Sequence, residues 1–145
     1  MPTRQDLLNA CHKTLADTSL LPKDGVTYCN IGVYNILQQL GLHGQFWNTQ
    51  HNRIMLANEM EQVCRNSKIK ISELVAKNHS LLGRPCVAVR SADGHGHINL
   101  VYPSEVTVWS SKWNRYCPLV ANIGKDNAVM SSNYAFRDIP DYYVL

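Results

Sequence analysis

A chain of 145 residues, 45% of them hydrophobic and 17% charged, has the material for a single globular domain spanning residues 1–145 and is too apolar to be disordered. Its formal net charge of +3 comes from scattered Lys and Arg, with Lys68 and Lys70 the densest patch, so the phosphate-neutralising stripe of a nucleic-acid binder is missing. No apolar run approaches the roughly 20 residues that cross a bilayer, which argues against membrane insertion.

In chain order, the first half reads as helical. Residues Arg4 to Ala16 offer Leu8, Cys11 and Leu15 on one face, and Leu20 to Gly25 form a turn-rich connector. Val33, Ile36, Leu37 and Leu40 then fall at helical spacing, with Thr27 as the expected N-cap and Gly41 as the stop. After a polar, aromatic-bearing loop, a third helix is predicted over Arg53 to Asn66, with Leu56, Ala57, Met60, Val63 and Cys64 inward. A short fourth, capped by Ser72, runs to about Asn78.

Past Gly83 the pattern turns to strands. Pro85–Arg90, His97–Tyr102 and Pro118–Ile123 read as strands, Val106–Trp109 as an edge strand or loop, and Asp141–Leu145 as the segment that closes the sheet. Helices first and strands afterwards predict an α+β fold, with N-terminal helices packed on one side of a C-terminal antiparallel sheet.

Cys29 falls four residues before Val33, on the same stripe, and in the first turn of the second helix if Thr27 caps it. Unpaired N–H groups and the positive end of the helix dipole there favour an anion, so the expectation is a thiol of lowered pKa and a ready oxyanion site. A nucleophilic thiol needs a base. Of the six histidines, His97 stands apart in Gly94-His-Gly-His-Ile-Asn-Leu-Val101, at the mouth of a strand with glycines around it. Asn122 interrupts the apolar run of the next clear strand and is the candidate to accept the ring N–H of His97; Asn99 and Asp93 are alternatives. His95 and the loop residue Trp109 are the candidates for substrate contact. An His95-x-His97 pair is also a zinc-ligand spacing, although no third ligand pattern accompanies it.

"YCNIGVYNILQQLG" followed by "GHINLVYP" resembles the papain-like amidase superfamily of bacterial wall enzymes, nearest to its CHAP and NlpC-type branches. The resemblance spans about residues 26 to 145 and includes the tail "CPLVANIGKDN…SSNYAF…DYYVL". It implies a papain-like fold, Cys29 as nucleophile, His97 as base and Asn122 as the third catalytic residue. Asn30 stands where an aspartate or serine often follows the nucleophile, and Asn122 lies farther from the histidine than in many members. The resemblance further implies cleavage of an amide bond in peptidoglycan with no cofactor. As no leader is evident, the enzyme is expected to be made in the cytoplasm and exported to a bacterial periplasm or wall. Delivery is then by type VI secretion, as an antibacterial effector with a cognate immunity protein, or by phage lysis. The competing readings are a zinc hydrolase using His95 and His97, a non-hydrolytic papain-like thiol enzyme, and a papain-like binding module.

Cys11, Cys64, Cys86 and Cys117 read as structural, with no CxxC pair and an odd total of five cysteines.

Overall fold

The computed structural model describes all residues from 1 to 145. Helix α1 (Arg4–Leu15) opens on a capping box: the Thr3 hydroxyl accepts from the Asp6 amide at 3.1 Å, and the Asp6 carboxylate accepts from the Thr3 amide at 2.9 Å. Its buried stripe is Leu7, Ala10, Cys11 and Thr14, which keeps the expected Cys11 and the neighbouring Leu7 while Leu8 and Leu15 are only half-buried. Helix α2 (Cys29–Gln39) buries Cys29, Gly32, Val33, Ile36 and Leu37 against α1 and the sheet.

A small hairpin pairs β1 (Trp47–Asn48), in the expected loop, with β2 (Arg53–Ile54), which occupies the residues expected to start the third helix. Helix α3 (Ala57–Ser67) therefore begins later, where the Glu59 carboxylate takes the Leu56 amide at 2.7 Å, the Arg53 guanidinium at 2.7 Å and the Asn48 amide at 2.9 Å. One carboxylate thus starts the helix and holds the hairpin to it. Strand β3 (Ile69–Ile71) follows, then α4 (Glu73–Leu81), where the Ser72 hydroxyl accepts from the Val75 amide as its sequence position predicts.

The remaining elements are β4 (Cys86–Arg90), β5 (His97–Val101), β6 (Thr107–Ser110), β7 (Arg115–Asn122), β8 (Ala128–Ser131), the single turn α5 (Ser132–Ala135) and β9 (Asp141–Val144). The strands from β3 onward pair antiparallel in one curled sheet in the order β3-β9-β4-β5-β7-β6, with β8 also pairing with β7. The fold is mixed helix and sheet, as expected. Strand β9, however, lies inside the sheet, between β3 and β4, and does not close its edge. Strands β3 and β8 carry too few alternating residues to stand out in the sequence.

The register sorts the strands into two faces. Val87 opposite Leu100, and Val89 opposite Ile98, turn to a cluster with Leu7, Ile36, Leu37, Phe46 and Met60 from the first three helices and the loop after α2. Ala88, Val101, Val120 and Tyr142 turn to a second cluster with Ala76 of α4, Trp113 and Phe136. The sheet is therefore covered on both faces, a correction to the expected one-sided cover. Each fully buried Leu, Ile or Phe contributes on the order of 1.5–3 kcal/mol to this packing.

All five cysteines are free. Cys11, Cys64 and Cys86 sit within the two clusters with their thiols pushed up to about 12 by burial, so they act as small hydrophobes. No helix is long and apolar enough to cross a membrane.

The position of α2 depends on Gly32. A Cβ there would meet Ile123 Cγ1 at 2.5 Å and its Cβ at 2.9 Å, so only glycine lets the helix approach the end of β7. Gly32→Ala is expected to destabilise the protein by about 1–3 kcal/mol through overpacking. Its urea midpoint should fall, and in a double-mutant cycle with Ile123→Ala the combined loss should be smaller than the sum of the two single losses.

Candidate active site

Three elements end at one place. Cys29 is the first residue of α2, His97 the first of β5 and Asn122 the last of β7. The pairing of Leu100 with Ala121 sets Asn99 opposite Asn122 one step further along, on the same face as His97.

Asn122 is the hub of the polar contacts. Its Nδ2 donates to the Asp126 carbonyl at 2.7 Å, which fixes the amide orientation and turns Oδ1 toward the ring. That oxygen lies 2.8 Å from His97 Nε2 and accepts the Asn99 Nδ2–H at 2.8 Å. Nε2 therefore carries the proton, and Nδ1 is left as a lone-pair nitrogen with no hydrogen bond to the protein. Phe136 lies against the ring with centroids 4.8 Å apart. Asn99 is 1% exposed and its Oδ1 has no partner. Sequence reasoning offered it only as an alternative to Asn122; the register makes it a companion.

The turn after β7 is pinned to the approach to α2. Asn127 Oδ1 accepts the Gly124 amide at 2.9 Å, and its Nδ2 donates to the Leu20 carbonyl at 2.8 Å. On the other side, Asn58 exchanges hydrogen bonds with Ala92 at 2.9 and 3.2 Å and so holds the loop that carries His95. Gly96 is required there, since a Cβ would collide with Asn58 Oδ1 and stand 3.0 Å from the Arg90 carbonyl.

The N-cap of α2 is Tyr28, without a side-chain hydrogen bond, and not Thr27, whose side chain lines a cavity beside His97. The uncapped helix end leaves amides free. Those of Asn30 and Cys29, together with the Ile98 amide at the start of β5, lie toward the Cys29 sulfur and favour its thiolate. Because Ile98 follows His97 directly, the sulfur sits against the start of β5. Cys29 is nevertheless 3% exposed, and desolvation outweighs these amides. Its pKa is raised, where helix-end reasoning alone expected it lowered. Burial likewise pushes His97 below its ordinary value, with the nearby His95 adding to the shift and the Asn122 hydrogen bond opposing it. At rest the pair is thus a neutral thiol and a neutral imidazole.

His95 lines a cavity of about 370 Å³ next to His97. Trp109 is exposed but pairs with Tyr116 toward the opposite end of β7, so the structure does not bring it to the other candidates. Trp113 is buried in the second cluster. No three His, Cys, Asp or Glu side chains are grouped to hold a metal ion. The largest cavity, about 500 Å³, lies between the start of α1 and the end of α2 and has no nucleophile or base in its wall beyond Asp6, which caps its own helix.

A scan against protein-family models matches none, and a search of curated proteins finds no match either.

Two measurements check the electrostatics. Alkylation of Cys29 by iodoacetamide, read by mass spectrometry, should rise with pH along one limb centred above the ordinary thiol value of 9.0. A plateau near neutrality would instead reveal a resident thiolate. Asn122→Ala should cost about 1–3 kcal/mol in denaturant unfolding, because it strands the buried Asn99 amide as well as His97 Nε2–H.

Proposed function

We propose that the protein is a papain-like cysteine hydrolase that cleaves an amide bond of bacterial peptidoglycan. The observation that carries this reading is the 2.8 Å contact of His97 Nε2 with Asn122 Oδ1, which leaves Nδ1 free on the residue before Ile98, whose amide faces the Cys29 sulfur; thiol and imidazole are not themselves hydrogen-bonded. Its substrate class rests on the resemblance of the Cys29 and His97 segments to wall amidases.

In this mechanism Nδ1 of His97 takes the thiol proton as sulfur attacks the carbonyl carbon, so thiolate forms only during attack. The carbonyl oxygen becomes an oxyanion facing the free amides of the first turn of α2. The imidazolium then protonates the departing amine, leaving a thioester on Cys29. Water, deprotonated by His97, attacks the thioester and releases the acid and the thiol. Throughout, Asn122 accepts the Nε2–H and holds the ring plane, while Asn99 holds Asn122.

The enzyme acts without a cofactor on a wall polymer. It reaches a bacterial periplasm or wall by type VI secretion, where a cognate immunity protein protects the producer, or during phage lysis. The burial of Cys29 and its raised thiol pKa favour a second reading, a papain-like scaffold that binds its ligand without turnover.

Mass spectrometry of purified peptidoglycan fragments separates the two. Wild type should yield new fragments whose masses name the bond, and Cys29→Ala and His97→Ala should yield none while remaining folded. Asn122→Ala should keep a residue of activity, reduced by about 10²-fold or more. Fragments from Cys29→Ala as well would move the chemistry off the thiol, and silence from wild type would favour the binding scaffold.

The base must be neutral to act, and burial places its pKa below the ordinary 6.5. Hence kcat/KM should hold down to about neutrality and fall only as pH drops through a midpoint below 6.5. A midpoint above that value would contradict the neutral-pair assignment.

A further inference from the structure

Two cavities meet at His97. One, of about 390 Å³, has His97 and Asn122 in its wall together with Thr27, Lys125 and the exposed ring of Tyr134. The other, of about 370 Å³, opens toward Arg90 and His95. They share His97, Ala135 and Arg137, while Cys29 lines neither, so an extended ligand lying across His97 has room on both sides of the imidazole.

Charge is uneven along this path. Lys125, Arg90 and Arg137 outnumber Asp126 and Asp138. Arg90 is engaged, donating to the Ile139 carbonyl at 3.1 Å. Arg137 is not: its guanidinium has no ion pair and no hydrogen bond to the protein, although its own carbonyl is held by Lys112 Nζ at 3.0 Å. The backbone at Arg137 is thus anchored while the side chain remains free at the junction of the two cavities. A guanidinium fork matches a carboxylate in shape as well as charge.

Building on the cysteine hydrolase reading, we infer that Arg137 binds a free carboxylate on the residue next to the scissile amide, and that the substrate is an acidic peptide held on both sides of the bond. Tyr134 and Lys125 flank one arm of that peptide, Arg90 and His95 the other. Arg137 is a specificity residue here. It takes no part in the proton transfers of His97.

The test uses two thiol probes that differ only in charge, iodoacetylglycine and iodoacetylglycinamide. In each, the Cys29 sulfur displaces iodide, forming a C–S bond as the C–I bond breaks, and the thiol proton leaves to solvent. The carboxylate of the first probe sits one residue from the reacting carbon. Rates of Cys29 modification are read by peptide mass spectrometry in wild type, Arg137→Gln and Arg137→Lys. Wild type should favour the carboxylate probe by up to about fivefold at low salt, the upper end for one exposed charge contact. The ratio should fall toward one in Arg137→Gln and recover in part in Arg137→Lys. Equal rates in wild type, or a preference that survives Arg137→Gln, would overturn the inference and leave the nucleophile reading intact. If Cys29 in the folded protein resists both probes, the nucleophile reading fails and the inference falls with it.

Discussion

The close seat of α2 on the end of β7 is the constraint on which the rest depends. Gly32 gives Ile123 the space that a Cβ would fill, and one turn before Gly32 stands Cys29. One residue before Ile123 stands Asn122. The same contact therefore sets the thiol-bearing helix end and the imidazole-orienting amide at a fixed separation. The Asn127 bridge from the β7–β8 turn to Leu20 repeats the tie from the other side of the connector. A site assembled from the ends of three elements holds its geometry only because those ends are locked to one another and not to flexible loops.

The polar cluster at this junction shows why amides, and not carboxylates, fit there. Asn122 and Asn99 are both buried, and an ionised group in their place would bear a large desolvation penalty. Neutral amides orient His97 at the cost of ordinary hydrogen bonding, apart from the unpartnered Asn99 oxygen. They also leave the imidazole uncharged at rest. A carboxylate would stabilise the imidazolium and draw the proton off Cys29 early. In this environment burial holds both groups neutral, raising the Cys29 thiol and lowering the His97 imidazole.

Much of this was legible in the sequence because the informative residues break local patterns. A cysteine opens an apolar helix, a histidine follows a glycine at the head of a strand, and an asparagine ends an apolar one. Helix α4 was readable from Ser72 for the same reason. Other features have no local signature. The partnership of Asn99 with Asn122 depends on a register between strands some twenty residues apart in sequence. The late start of α3 depends on a hairpin of two residue pairs. The sign of the Cys29 shift has no local signature either, because a helix terminus is visible in a sequence and the depth of its burial is not. Trp109, expected in a loop and at the substrate, lies in strand β6, and only the sheet shows that it faces the end of β7 away from Asn122.

The interior place of β9 bears on how the chain finds this fold. Strand β3 pairs only with β9, and β4 takes one of its two partners from it, so both wait on a segment some seventy residues downstream of β3. Such pairing is non-local, and the entropy of closing so long a loop is spent before any contact returns it. Folding of this kind is slow, in the range of milliseconds to seconds, and until it finishes β3 and β4 present open hydrogen-bonding edges to other chains. The order of strands in the finished sheet thus sets a kinetic window in which concentration, not stability, decides the yield of native protein.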